Sequence, residues 1–162
     1  MALPSPAQGS RPAFAGHPRV LVSSTSSDSH TWNLVFLQLL LEEMGNEVVN
    51  IGACVPDALL IAECRRHRPD MVVISSVNGH GFLDGRRLIR RLREEPDLAR
   101  LPVVIGGKLG TRGGAGDATG TGFGQQLMDA GFDAVFEDTA GVDAFRAYLE
   151  LAPYAPELEA TA

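Results

Sequence analysis

The chain is short of the residues that announce many functions. Two cysteines stand in 162 residues, Cys54 and Cys64, with no CxxC spacing and no paired histidines nearby. A structural zinc site needs closer, clustered ligands, so that class is excluded. Both cysteines fall among apolar residues, which reads as two reduced, buried thiols in a cytoplasmic protein. Basic residues are outnumbered, 14 Lys and Arg against 20 Asp and Glu, for a net charge of −6. The totals therefore carry no footprint for nucleic acid or anionic membrane partners. No apolar run reaches the ~20 residues that cross a bilayer. Residues 1–17 are rich in Ala, Pro and Ser but lack the apolar centre of a signal peptide. They read as a disordered tail, residues 153–162 as a second, and 18–152 as one domain.

What the chain has is alternation. Residues 18–23 (PRVLVS) read as a buried strand. In residues 31–44, Trp32, Val35, Phe36, Leu39 and Leu40 recur at three and four, which predicts a helix with those residues as its inward face. Gly45 suits the left-handed residue that ends it. Strand NEVVNI (46–51) follows, then a helix from Pro56-Asp57 to about His67, stopped by Pro69. Residues 70–75 (DMVVIS) are almost wholly apolar, as in a central parallel strand covered on both faces. Residues 82–95 predict a helix with Leu88, Ile89 and Leu92 inward and Arg86, Arg87, Arg90, Arg91 and Arg93 on a solvated face. Strand PVVI (102–105), a glycine-rich stretch (106–124), a helix from 123 to 130, strand DAVF (133–136) and a helix at 140–151 complete the chain. Strict β–α alternation predicts an α/β fold: a flavodoxin-like, Rossmann-like, five-stranded parallel sheet of order 2-1-3-4-5 with helices on both faces.

Ligands of such folds bind at the carboxyl ends of the strands, near the switch point between strands 1 and 3. Three polar or glycine-rich loops converge there: Ser26-Ser27-Asp28-Ser29-His30 after strand 1, Ser75-Ser76-Val77-Asn78-Gly79-His80-Gly81 after strand 3, and Gly106-Gly107-Lys108-Leu109-Gly110 after strand 4. The glycines fit neither GxxxxGK[ST] nor GxGxxG after strand 1, which weakens a nucleotide-binding reading. A phospho-acceptor receiver needs an aspartate where this chain has Ser75 and Ser76. A flavin site stays open at this point, although no aromatic pair is obvious in the loops after strands 3 and 4.

Together, Asp28-Ser29-His30, Ser75-Ser76-Val77 and Gly106-Gly107 resemble the cobalamin-binding signature D-x-H-x-x-G … S-x-L … G-G of the B12-binding domain family. The likeness extends over about residues 18–150 to the small subunit of glutamate mutase (methylaspartate mutase), with EVVNIG (47–52) and GFDAVF (131–136) similar too. The resemblance implies that His30 takes the lower axial position of cobalt, with the cofactor's own base displaced and its nucleotide tail inserted beside the sheet. Asp28 would then hold the other ring nitrogen. Ser27, Ser29 and Thr31 would flank the ligand. Ser75 and Ser76 would bond the buried base and Val77 would pack on it. Gly106 and Gly107 would let backbone approach the tail, and Lys108 would meet its phosphate as a point charge, with Leu109 and Gly110 beside it. Two positions depart from the signature: Asn33 replaces its glycine and Val77 its leucine.

By the same resemblance, the chain is the cofactor-binding subunit of an adenosylcobalamin-dependent isomerase, a carbon-skeleton mutase. Cobalt–carbon homolysis in the cofactor supplies the radical chemistry. The implied substrates are L-glutamate and 3-methylaspartate, and the implied partner is a larger barrel subunit in a heteromer; no nucleic acid or membrane partner is expected. The alternative is a stand-alone corrinoid carrier or sensor module, for methyl transfer or regulation. Methyl carriers precede this domain with a helical bundle, whereas a 17-residue tail precedes strand 1 here, and that favours the mutase subunit. A flavodoxin-like protein without corrinoid is a weaker third reading. Each remaining feature has an ordinary counterpart. Asp28 suits a helix cap, His80 an exposed loop, His67 a helix C-terminus and Trp32 the core.

Overall fold

The computed structural model describes residues 17–110, 122–137 and 141–151. The tails expected at 1–17 and 153–162 fall outside this range except for His17, whose Nδ1 lies 2.8 Å from the Gly45 carbonyl. Most of the glycine-rich stretch 110–124 also falls outside it.

The alternation is realised in full as β1 (Arg19–Ser24), α1 (Trp32–Glu43), β2 (Glu47–Asn50), α2 (Asp57–His67), β3 (Met71–Ser75), α3 (Gly81–Glu94), β4 (Val103–Gly107), α4 (Phe123–Ala130), β5 (Ala134–Glu137) and α5 (Gly141–Leu151). The strands form one parallel sheet in the order β2-β1-β3-β4-β5. The register of β1 on β3 pairs Ser24 with Ser75, and that of β3 on β4 pairs Ser75 with Gly106. The three loops singled out above therefore leave the sheet side by side.

The strand period of two divides the core between the faces. Leu21, Val72, Ile74, Val103 and Ile105 meet Leu60, Ile61, Leu88, Ile89, Leu92 and Leu127 from α2, α3 and α4. Val20, Val22, Met71, Val73 and Val104 meet Leu34, Leu40 and Leu41 of α1 and Phe145 and Leu149 of α5. Among the described residues, three helices cover one face and two the other. The second face is thus left open over β3 and β4, between α1 and α5.

Four expectations are corrected. The buried face of α1 is Leu34, Leu40 and Leu41; Trp32, Val35 and Leu39 point outward, Trp32 with 82% of its surface exposed, and Phe36 is half-exposed at the gap beside the sheet. The helix is apolar nearly all round, so spacing at three and four does not fix which stripe faces the sheet. Cys54 is exposed rather than buried, in the turn after β2 with φ +52°; Cys64 is buried as expected. Arg93 is no solvated residue, since it donates to the carbonyls of Leu98, Leu101 and Gly131 and pairs with Asp133 at 3.0 Å. Arg87 is also engaged, in a network described below. Among the described residues no helix is long and apolar enough to cross a membrane.

Candidate functional site

The site begins with a buried carboxylate. Asp28 follows the turn at the end of β1 and is 1% exposed. One oxygen, Oδ1, accepts the His30 backbone N–H at 2.9 Å and lies 2.7 Å from His30 Nδ1. The other, Oδ2, accepts the backbone N–H groups of Val77 and Asn78 at 2.6 and 3.2 Å, from the loop after β3. Burial pushes the Asp28 pKa up, but the donors of His30, Val77 and Asn78 together outweigh it and hold the carboxyl below the usual carboxylate range. Asp28 is therefore ionised and accepts only. His30 Nδ1 therefore carries the proton of this bond, and in the neutral ring Nε2 is the nitrogen with the lone pair. The His30 side chain is 56% exposed, in the loop that leaves the carboxyl end of β1. Asp28 does not cap α1; Thr31 holds that position, without a side-chain bond.

Further bonds tie this loop down. The Asp28 carbonyl accepts from Ser24 Oγ at 2.9 Å and from the Cys54 backbone N–H at 2.9 Å. Ser27 accepts from the Asn78 amide through both its carbonyl and its hydroxyl. Ser29 is exposed.

The gap between α1 and α5 is a cavity of about 400 Å³. Its floor is Val73, Ser75 and Val104; Asn33, Phe36 and Leu37 wall it from α1, and Gly141, Val142 and Phe145 from α5, with Phe136 beside them. Val77, Gly106, Gly107 and Lys108 line it at the strand ends. The lining is mostly apolar, with Asn33, Ser75 and Lys108 the polar side chains, and Lys108 is the chain's single lysine.

The structure thus brings Ser75, Val77, Gly106, Gly107 and Lys108 to one cavity and places Asp28 and His30 in the loop beside β3. Three expected residues lie elsewhere. Ser76 is fully buried with its hydroxyl toward Thr25 and Asn78, because adjacent strand residues face opposite ways. Leu109 sits in the core of the α3 face, where its carbonyl accepts the Phe82 N–H at 2.9 Å. Gly110 lies against the Phe123 ring, which leaves no room for a Cβ.

Gly107 is required for a local reason. Its φ is +112°, and a Cβ would sit 2.3 Å from the Ser76 carbonyl oxygen. The close approach is to β3's own end. Asn33, half-buried, takes a place in the cavity wall. The aromatic walls Phe36, Phe136 and Phe145 were missed in the sequence. Their only local signal was the apolar period of α1 and the GFDAVF stretch, and neither says that two helices stand apart.

The B12-binding domain family model matches residues 18–117. The chain belongs to the B12-binding domain family. Among curated relatives, the glutamate mutase sigma subunit of Fusobacterium nucleatum is 30% identical over 119 residues, covering 74% of this chain and 84% of that protein. Glutamate mutase sigma subunit 1 of Haloarcula marismortui is 28% identical over 134 residues, 82% of this chain and 86% of its own length. The HTH-type transcriptional repressor CarA of Myxococcus xanthus is 36% identical over 101 residues, but this chain spans only 34% of it. Of the solved structures, a cobalamin-binding protein from Desulfitobacterium hafniense matches with TM-score 0.63 and 18% identity over 83% of this chain and 58% of that one. A monomethylamine corrinoid protein from Methanosarcina barkeri matches with TM-score 0.59 and 21% identity, over 82% of this chain and 57% of that one. These structural likenesses are of fold; a histidine kinase's receiver domain from Syntrophus aciditrophicus scores 0.59 as well.

The residues fit the group this family binds. Among the described residues, no three or more His, Cys, Asp or Glu side chains converge as an all-protein metal site would require. One oriented imidazole beside an apolar cavity suits a metal that arrives in its own macrocycle and needs a single protein ligand.

Proposed function

We propose that this chain is the cobalamin-binding subunit of an adenosylcobalamin-dependent carbon-skeleton mutase that interconverts L-glutamate and 3-methylaspartate with a larger barrel subunit. The observation that carries the site is the Asp28–His30 pair, 2.7 Å apart, with Nδ1 committed to a buried carboxylate on a side chain that is 56% exposed. The likeness to the two glutamate mutase sigma subunits, each covered over more than four-fifths of its length, supports the mutase reading.

In this reading His30 Nε2 would hold the cobalt, and Asp28 would fix its tautomer and raise its basicity. The cavity between α1 and α5 takes the nucleotide tail. Val73, Phe36 and Phe136 offer the base an apolar bed, Ser75 offers a hydroxyl at its floor, and Lys108 supplies a positive charge for the phosphate. When bound, the cofactor supplies the hydrogen-abstracting chemistry of the isomerisation. The chain's own residues bind and orient it, while substrate contacts belong to the partner subunit. Mixing the chain with the barrel subunit and adenosylcobalamin is expected to give glutamate isomerisation that neither chain gives alone. No turnover of glutamate by the mixture, with cobalamin bound, would remove that substrate.

The 36% identity to CarA, a transcriptional repressor, supports a second reading, a corrinoid sensor module, with a stand-alone corrinoid carrier as its other form. It would use the same histidine and cavity. Methyl transfer to or from the bound corrinoid, without isomerase activity in the mixture, would select it.

A further inference from the structure

The half of the ligand loop nearer β1 is held by side chains from the opposite helix layer. Ser26 and Ser27 form the tip of the turn, closed by the Asp28 N–H on the Thr25 carbonyl at 3.1 Å. Arg87, on α3, reaches this tip with Nη2 donating to Ser26 Oγ at 2.8 Å. The same guanidinium donates from Nη1 to Asp84 Oδ1 at 3.0 Å. Its Nε and Nη2 form a fork on Asp57 Oδ2 and Oδ1 at 2.8 and 3.3 Å. Asp84 in turn accepts the Ser27 hydroxyl through its second oxygen. Asp57, in the first turn of α2, is 7% exposed. One planar cation thus joins the turn, α2 and α3.

The turn needs such a tie. Residues 23–29, SSTSSDS, carry no large apolar side chain that could pack them in place. Asp28 is fixed by backbone donors from the loops after β2 and β3. Among the described residues, the hydrogen-bond partners of Ser26 and Ser27 are the side chains of Arg87, Asp84 and Asn78, the last of which also reaches the Ser27 carbonyl. Arg87 suits this place better than lysine would, because its rigid fork serves a carboxylate and a hydroxyl at once.

We propose that Arg87 is a positioning residue for the axial ligand: oriented by Asp57, it holds the Ser26–Ser27 turn so that Asp28 and His30 present Nε2 in one place. This rests on the reading of His30 as the cobalt ligand. It extends that site to a residue 57 positions downstream of His30 on the other face of the sheet.

The test is a titration of the full chain with hydroxocobalamin, read by the absorbance change on replacing the cofactor's own base with histidine, beside the Tm of each variant. Arg87→Met is expected to raise Kd by about tenfold, as loss of a partner behind a metal ligand does, and to lower the histidine-bound fraction at saturation. Ser26→Ala, which leaves the Arg87–Asp57 pair intact, is expected to shift both readouts the same way with Tm unchanged. Arg87→Lys is expected to recover part of the loss. Wild-type Kd and wild-type spectrum in both Arg87→Met and Ser26→Ala would overturn the proposal. If Arg87→Met does not fold, Ser26→Ala decides alone. A wild-type chain that binds hydroxocobalamin without the histidine spectrum would instead defeat the reading of His30, a distinguishable failure.

Discussion

At the residue scale the two cysteines separate most cleanly. Burial, with the nearby Glu63 carboxylate, pushes the Cys64 thiol up to about 12, while Cys54 lies exposed beside the ligand loop. A thiol reagent at pH 8 is expected to label one cysteine in the native chain and two after unfolding. Rapid labelling of both in the native state would contradict the burial of Cys64. The sign for stability follows: an unfolded thiol ionises near pH 8.5–9, the folded Cys64 does not, and its contribution to folding declines as pH rises above about 8.5. Gly107 supplies a second prediction. Gly107→Ala forces a Cβ against the Ser76 carbonyl at a positive φ, and strain of that kind costs about 1–3 kcal/mol. Urea unfolding measures it, and a change below about 0.5 kcal/mol would show that the strand ends relax freely. The Asp28–His30 pair was legible in the sequence because its two members are neighbours in the chain and form their contact locally. A motif names positions but not orientations: Ser76 turns away from the cavity because alternation at the end of β3 brings its neighbour Ser75 there, and Leu109, beyond the end of β4, packs into the core of the α3 face.

At the scale of elements, α1 is the informative case. Its existence and ends followed from its apolar content and from Gly45, whose φ of +88° matches a helix stop. Its orientation did not follow, since the stripe of Trp32, Val35, Phe36 and Leu39 is as regular as the buried set. Only the sheet, by presenting Val20 and Val22 to Leu34 and Leu41, selects between them. Leu41→Ala is therefore expected to cost about 2–5 kcal/mol in denaturant unfolding. Trp32→Ala is expected to stay within about 0.5 kcal/mol. The reverse ranking would contradict the assigned face. The loop after β3 shows the opposite balance. Its asparagine and glycines marked it as a loop in the sequence, yet its main task, offering the Val77 and Asn78 N–H groups to Asp28, is a backbone property that no side chain announces.

For the whole molecule, strict alternation of strands and helices made the sheet order legible, because right-handed parallel connections leave few topologies. The cavity was not legible. It arises because two helices cover five strands on one face, and the space between α1 and α5 is set by packing across the sheet. The network around Arg87 is equally non-local: Ser26, Asp57 and Arg87 come from three segments that meet only after the chain folds. The central claim is that this fold delivers one imidazole to cobalt and an apolar slot to the displaced base. Its most direct test is the absorption spectrum of hydroxocobalamin with the wild-type chain and with His30→Ala. The account predicts a histidine-ligated, base-displaced spectrum for wild type and its loss in His30→Ala. Identical spectra for the two proteins would contradict it.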